Sequence, residues 1–216
     1  MTRWVRVVAA GLVLVGAGGL AYGFYLPAKA ALAQVLLERA WALSGDGATR
    51  PWPWAETWPV GRLEVPRLGM DLIVLAGAEG AALAFAPGHV DGSAAPGDTG
   101  NVVIAGHRDT VFRSLGLLRL GDEIWLEAPD GCRRRYTVER TEVVHESETS
   151  VLEPSTSAVL TLVTCYPLDG TRPGGPLRYV VRARDGSGVV RPPRMAGADV
   201  SGEHGVRPTR AEVVGS

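Results

Sequence analysis

The chain begins with a long apolar stretch that no charge interrupts. Arg3 and Arg6 precede Val7–Leu26, and Lys29 follows shortly after it. A helix of this length covers about 30 Å, the thickness of the hydrocarbon core of a bilayer. The pattern therefore predicts one transmembrane helix. The arginines before it place the N-terminus in the cytoplasm and the rest of the chain on the extracytoplasmic side.

A cleavable signal peptide is the alternative for this segment. Its apolar stretch is usually about 7–15 residues long and ends at a small-x-small cleavage site, for which Ala28-Lys29-Ala30 has suitable residues. The stretch here is longer, and Tyr22, Phe24 and Tyr25 lie where an interfacial aromatic belt is expected. We therefore predict an uncleaved anchor, with its cytoplasmic stub, over residues 1–29.

Residues 30–59 are predicted to form a helix and a linker. Ala30–Leu43 has apolar positions at helical spacing, so it either continues the membrane helix or lies along the membrane surface. Thr49–Pro59 then alternates prolines with tryptophans, which is typical of a stiff linker whose rings need a partner. Both the membrane interface and the folded domain offer one, and we favour docking on the domain.

From Val60 onward the apolar positions alternate with a period of two, which indicates short strands. These are Arg62–Pro66, Leu72–Leu75, Asn101–Ala105, Glu123–Glu127, Arg134–Val144, Val159–Cys165 and Leu177–Ala183. Brief helical stretches are predicted at Glu79–Phe85 and Phe112–Leu120. About eight strands with little helix predict a mainly β domain over residues 60–185, a closed or nearly closed antiparallel β-barrel. The aperiodic residues 186–216 are predicted to be a disordered tail.

Composition removes several classes of function. The 216 residues fit one domain with an anchor and a tail, and a net charge of −1 gives no general attraction to nucleic acid. Two cysteines are too few for a disulfide scaffold or a four-cysteine zinc site. No glycine-rich phosphate loop or internal repeat is present.

Three residues at strand positions carry candidate chemistry. Cys165 closes a predicted strand beside a loop, where it is either an accessible nucleophile or a small buried hydrophobe. His107 closes another strand after Gly106, whose bare backbone allows a close approach. Arg178 lies within a third strand, as a surface charge or as a donor fork for carbonyl oxygens and developing negative charge. Together they are the parts of a thiol nucleophile with an acid/base partner and an oxyanion donor.

Several strings in the sequence resemble one family. The three main ones are Gly100–Phe112, Leu160–Pro167 and Pro176–Ala183, and Pro87–His89 with Pro96-Gly97 adds to them. They are similar, in the family order, to the characteristic stretches of sortases, which are membrane-anchored cysteine transpeptidases with an eight-stranded β-barrel. The resemblance is strongest to class D and its proteobacterial relatives.

The resemblance covers about Val60–Ala183 and implies a function and a site. Cys165 corresponds to the nucleophile, His107 to the acid/base and Arg178 to the oxyanion or substrate-backbone donor, with Thr164 as a substrate contact. The family cleaves an LPxTG-like C-terminal sorting signal, holds the acyl part as a thioester and transfers it to an amine of the cell envelope. Some sortases bind calcium, but the sequence shows no matching acidic cluster, so we predict no metal and no cofactor.

The glycine- and proline-rich loop Asp169–Pro176 departs from the family pattern and is expected to affect substrate choice. A hydrolase on the same barrel, with water in place of the amine, and a non-catalytic cell-surface binding module are the alternatives. The retained Cys165, His107 and Arg178 argue against the binding module.

The remaining candidates have simpler interpretations. Cys132 is predicted to be an unpaired bystander, and Arg133–Arg135 a solvated strand. His89 and Asp91 lack further ligands at metal-site spacing, which favours a loop role. His145, with Glu146 and Glu148 nearby, is expected in the loop that lines the substrate groove.

Overall fold

One continuous helix, α1, occupies Thr2–Ala42 in a computed structural model of the chain, which describes residues 2–79, 83, 85–170 and 174–190. The helix confirms that Ala30–Leu43 continues the apolar N-terminal segment. Its stretch from Arg3 is long and apolar enough to cross a membrane by length and composition, and its most apolar part is not buried in the protein. That exposure excludes a core helix and fits a membrane span.

Eight strands follow α1 in the described part of the chain. They are β1 (Pro59–Val65), β2 (Met70–Ala76), β3 (Gly88–His89), β4 (Asn101–Ala105), β5 (Glu123–Glu127), β6 (Arg133–His145), β7 (Val159–Tyr166) and β8 (Leu177–Val190). Short 3-10 helices lie at Ser44–Asp46, Pro66–Leu68, Leu115–Leu117 and Ser150–Leu152. The strands close into a barrel in the order β1-β2-β3-β4-β7-β8-β6-β5, which confirms the predicted closed eight-stranded fold.

The barrel is not purely antiparallel, and here the sequence-based prediction is wrong. β2 pairs with β3 in parallel, and β4 pairs with β7 in parallel. β3 was missed because it has only two residues, too few for a period-two pattern. β3 requires a glycine at position 88, because a Cβ there would collide with the carbonyl oxygen of Gly77, the residue that follows β2.

Alternation along the strands separates an apolar interior from the outer face. The interior includes Leu160 and Leu162 of β7, Val181 of β8 and Ile104 of β4, all fully buried. The intervening residues of the same strands therefore point outward. This places the face that carries Cys165 on the outside of the barrel.

The C-terminal part of α1 packs on the outside of the barrel. Ala33, Leu37 and Ala40 are buried at helical spacing, and Leu37 packs with Ile73 and Leu75 of β2. The tryptophan-containing linker docks beside them, as predicted, with the ring of Trp52 edge-on to Phe85 at 5.9 Å. The helix and the barrel thus share a small second core.

Two boundaries differ from the prediction. β8 continues to Val190, seven residues beyond the predicted end, so residues 186–190 pair with β6 and do not belong to a tail. The predicted tail from residue 191 onward and most of the predicted helical stretch Glu79–Phe85 lie outside the described residues. Of the other predicted helical stretch, only Leu115–Leu117 is helical.

The prediction of a solvated arginine triplet is wrong for its central member. Arg134 is 7% exposed, and its Nη1 donates to Asp185 Oδ2 at 2.6 Å, whereas Arg133 and Arg135 lie outside around the ring of Trp125. Period-two alternation turns the middle residue inward. Burial of the neighbouring Tyr136 raises the pKa of its phenol to about 12.

Asn101 fixes the loop between β6 and β7 against the barrel. Its Nδ2 donates to the carbonyl oxygens of Val151 and Glu153, and its Oδ1 accepts from Thr161 Oγ1 at 2.6 Å. Asn101 and Thr161 are buried at 2% and 0% exposure. One amide therefore joins β4, β7 and the loop that borders the candidate site.

We expect Asn101→Ala to destabilise the fold by about 3 kcal/mol, because it leaves the Thr161 hydroxyl and two carbonyl groups without their partner. The measurement is thermal unfolding of the full chain in detergent. Ser157→Ala, at an exposed position of the same loop, is the control and is expected to change little. Equal unfolding midpoints for the two variants would contradict this role of Asn101.

Candidate active site

The pairing of β7 with β8 brings two of the three predicted site residues together. Cys165 is directly opposite Arg178 in this antiparallel pair, so their Cβ atoms are expected about 4.5–5.5 Å apart on one face. Cys165 is a free thiol and is half-buried. The thiol is therefore within reach of a ligand, and the residue opposite it on the neighbouring strand is an arginine.

The parallel pairing of β7 with β4 brings in the third residue. Ala105 is opposite Val163, and the Gly106 amide donates to the Val163 carbonyl oxygen at 3.1 Å. Two residues beyond Val163, Cys165 lies on the outer face of β7, and two residues beyond Ala105, His107 follows the end of β4. His107 is exposed, so the imidazole is accessible beside the thiol-bearing strand end.

Gly106 has a different role from the one suggested by the sequence. A Cβ at this position would lie 2.7 Å from Cδ2 of Phe112, a fully buried residue of the core. The Phe112 amide also donates to the His107 carbonyl oxygen at 3.0 Å. The bare glycine therefore accommodates a ring of the protein itself, and the tight turn that results orients the chain at His107.

A groove of about 390 Å³ lies on the outside of the barrel, next to these strand ends; Cys165 and His107 are not among the residues that line it. Its apolar lining includes Val103 and Ala105 of β4 and Val163 of β7. Ala105 is two positions before His107, and Val163 is two positions before Cys165. Arg178 lies in its wall. An extended peptide in this groove would run along the strand that ends at the thiol.

The guanidinium of Arg178 is held by the loops on both sides of the groove. Nη1 donates to the carbonyl oxygens of Gly175 at 2.7 Å and Leu177 at 3.0 Å, and Nη2 donates to Glu146 Oε2 at 2.7 Å. The Glu146 amide in turn donates to the carbonyl oxygen of Pro176. The Arg178 side chain is 29% exposed and its guanidinium has fixed hydrogen-bond partners. Its conformation is therefore more restricted than that of a free surface charge.

The loop between β6 and β7 borders the groove, as the sequence predicted. His145, Glu146 and Glu148 all line it. Hydrogen bonds from the Ser150 side chain and backbone lower the pKa of the Glu148 carboxyl group, so that this rim residue is negatively charged at neutral pH.

Thr164 is buried in the barrel wall and does not line the groove, and its assignment as a substrate contact stays a prediction. Its side chain is 3% exposed, and its hydroxyl donates to the Gly106 carbonyl oxygen at 2.7 Å. Alternation turns residue 164 inward when residue 165 points outward. The hydroxyl therefore ties the end of β7 to the end of β4.

Arg108 is a structural residue of the site that sequence reasoning missed. It is 3% exposed, and its Nη1 donates to the Pro167 carbonyl oxygen at 2.9 Å. The guanidinium also lies under Gly170, where a Cβ would approach it to about 2.9 Å. Arg108 therefore connects the chain just after His107 with the chain just after Cys165. Arg108 lies in the turn after β4, where strand alternation gives no signal for its burial.

The other candidate residues have structural surroundings. His89 Nε2 lies 2.8 Å from the Ala94 carbonyl oxygen and 3.0 Å from Ser93 Oγ, which gives it the expected loop role. Cys132 is a free, buried thiol. The described residues contain no group of three or more His, Cys, Asp or Glu side chains that is arranged to hold a metal ion.

Comparison with known proteins identifies the family. The family model of the sortase domain matches residues 63–185, more than half of the chain. Sortase D of Bacillus subtilis is 34% identical over 122 residues, which are 56% of this chain and 61% of that protein. The chain thus spans about three-fifths of the length of this curated relative.

Solved structures agree with the sequence match. A Clostridium perfringens sortase D5 transpeptidase superimposes with a TM-score of 0.56 and 25% identity, over 69% of this chain and 89% of that one. Sortase A from Corynebacterium diphtheriae gives a TM-score of 0.55 and 30% identity, over 62% and 63% of the two chains. The chain belongs to the sortase family and is class D-like.

We expect Arg108→Met to loosen the loop that follows Cys165, because it removes a charged hydrogen bond worth about 1.5–3 kcal/mol from a buried position. Amide hydrogens over residues 168–170 should then exchange about 10- to 100-fold faster in the full chain. Arg113→Met, at an exposed position of the same turn region, is the control. Unchanged exchange in Arg108→Met, with the barrel intact, would show that other contacts hold the loop.

Proposed function

We propose that this chain is a membrane-anchored cysteine transpeptidase with Cys165 as its nucleophile. One observation carries the proposal: the strand register puts a free thiol opposite an arginine that lines a groove, on a strand paired with β4, after which an exposed histidine follows by two residues. The family match adds support, because its members that are named in solved structures include a transpeptidase.

In the first half of the proposed reaction, the Cys165 thiolate attacks the carbonyl carbon of the threonine in an LPxTG-like peptide. The bond from that carbon to the following nitrogen breaks, and protonated His107 gives its proton to the departing amine. The acyl part stays on Cys165 as a thioester. The fork of Arg178 donates to the carbonyl oxygen as negative charge develops on it.

In the second half, an amine of the cell envelope attacks the thioester. Neutral His107 accepts the proton of this amine, the new amide bond forms, and the Cys165 thiolate leaves. His107 ends protonated and Cys165 ends as thiolate, as both began, so the cycle closes without a cofactor. Water in place of the amine would give the free acid, which is the hydrolase alternative.

The anchor gives this reaction its location. The arginines before the apolar part of α1 favour an N-terminus in the cytoplasm and a barrel on the extracytoplasmic side. The partner would then be a secreted protein with a C-terminal sorting signal. Arg178 donates hydrogen bonds to the carbonyl oxygens of Gly175, in the loop from Asp169 to Pro176, and of Leu177, just after it. We therefore expect this loop to influence which signal is accepted.

The test of the reaction uses the full chain in detergent, because α1 packs on the barrel and β8 extends beyond the predicted domain end. With an LPxTG-like peptide, mass spectrometry should detect the N-terminal peptide fragment bound to Cys165. Added amine should shift the product from the free acid to the amide. A product that stays the free acid at every amine concentration would favour the hydrolase.

The matched variants are Cys165→Ala, which should form no adduct, and His107→Ala, which should form almost none. Cys132→Ala removes the other, buried thiol and should react normally. Cleavage that persists in Cys165→Ala would exclude the proposed mechanism.

We expect Arg178→Lys to lower kcat/KM by about 100- to 1,000-fold, since a point charge does not reproduce a planar donor fork. Arg182→Lys is the control, because Arg182 is on the same face of β8 but opposite Thr161 instead of Cys165. Near-native turnover of Arg178→Lys would show that Arg178 is a surface charge and does not act as a donor fork.

A further inference from the structure

A second groove of about 740 Å³ lies between α1, the linker and the barrel, and it is larger than the groove beside Cys165. Its lining is mainly apolar and includes Leu32 and Leu36 of α1, Trp52 and Trp54 of the linker, and Phe85. Lys29 also lines it, with its Nζ 6.0 Å from the centre of the Phe85 ring. None of the proposed catalytic residues contributes to it.

The height of this groove above the membrane follows from the continuity of α1. If the helix leaves the hydrocarbon core near Leu26, its rise puts Lys29 about 4.5 Å and Leu32 about 9 Å further out. The headgroup layer on each side of the core is about 5–8 Å thick. Because Ala33 and Leu37 are buried against the barrel, the folded domain begins directly at this layer.

The exposed side chains at the groove suit such a layer. Trp54 is 80% exposed, the highest value among the large apolar side chains of the described residues after α1. Leu32 and Val35 are exposed at 59% and 64% on the neighbouring turns of the helix. Tryptophan concentrates at membrane interfaces, and a lysine next to a span extends its amine to the lipid headgroups.

We infer that the groove between Lys29, Leu32, Trp54 and Phe85 is a lipid-binding face, which holds the catalytic barrel against the outer leaflet of the bilayer that α1 crosses. Its occupant is the headgroup end of a phospholipid, with the first carbons of its acyl chains against the apolar lining nearest Lys29 and Trp54 at the level of the headgroups. The inference rests on the proposed membrane anchor, but not on the proposed chemistry of Cys165.

The groove also has a defined relation to the active site. Glu79 and Asp91 line both this groove and the groove beside Cys165, so the two meet at an acidic boundary. Carboxylates repel lipid phosphates. The lipid would therefore occupy the end near α1 and leave the substrate groove open.

The experiment measures tryptophan quenching by lipid bromines. The full chain with Trp4→Phe, which removes the exposed tryptophan of the anchor, is reconstituted into phosphatidylcholine vesicles. The lipids carry bromine either near the headgroup end or near the methyl end of the acyl chain. Headgroup-end bromines should quench more strongly, and Trp54→Phe should remove most of that quenching.

Trp125→Phe is the matched control. Trp125 is on β5, where the Arg133 guanidinium stacks at 4.6 Å from the ring centre, and its loss should leave lipid quenching unchanged. Quenching that Trp54→Phe does not reduce, or that is stronger from the methyl end, would overturn the inference. The inference would also be overturned if brominated lipid did not change the Trp54 emission but the LPxTG-like peptide did. The groove would then bind the polypeptide substrate.

The measurement separates this inference from the proposed function. Flotation of the same vesicles shows whether α1 anchors the chain at all. Repeating the quenching with Cys165→Ala requires no enzymatic turnover, so an inactive protein can still give the expected quenching. An active protein whose Trp54 is not quenched contradicts the lipid-binding face alone.

Discussion

The register of β7 between β4 and β8 is the constraint on which the candidate site depends. In this register Cys165 is opposite Arg178 on one side, and the last pair on the other side is Ala105 with Val163. A slip by one residue would turn the thiol into the barrel interior, because alternate residues point to opposite faces. The chemistry therefore depends on strand pairing more than on any loop.

Polar groups inside the wall hold this register at both ends. Near the start of β7, Thr161 donates to Asn101, and near its end Thr164 donates to the carbonyl oxygen of Gly106. Both pairs are buried, where an unmade hydrogen bond costs the full desolvation of its partners. Arg108 extends the same connection beyond the strands, from the His107 side to Pro167. The two strand ends are thus joined by directional bonds as well as by the ladder.

The sequence predicted most of the fold, because long alternating strands carry a strong signal. The bounds of β7, which carries Cys165, and of its neighbour β4 were predicted to within one residue. What it did not predict depends on non-local contacts. The two-residue β3 exists only because Gly88 fits against Gly77, and β8 extends to Val190 because β6 is long enough to pair with it.

The site was predicted unevenly for a similar reason. Residues that point outward at strand ends, such as Cys165, do not have to pack in the core. A reactive residue type at such a position therefore indicates a functional role in the sequence itself. Thr164 points inward, as strand alternation gives, whereas Arg108 is buried in the turn after β4 and was missed. Their partners are backbone carbonyl groups of distant strands, and no motif marks such partners.

The docking of α1 has a consequence for the whole molecule. A flexible tether would let the barrel sample many heights above a membrane, whereas a single helix, with Pro27 inside it, runs here from the apolar segment into the second core and restricts that range. Glu38 of this helix also pairs with Arg62 of β1 at 3.3 Å. An exposed ion pair of this kind adds little energy, so the buried side chains of Ala33, Leu37 and Ala40 account for the attachment. If the apolar segment spans a membrane, as we propose, the attachment at Ala33 begins about 10 Å beyond it along the helix, at a rise of about 1.5 Å per residue, which would keep the barrel close to the bilayer. A substrate that is itself held in the membrane would therefore meet the thiol at a constant height.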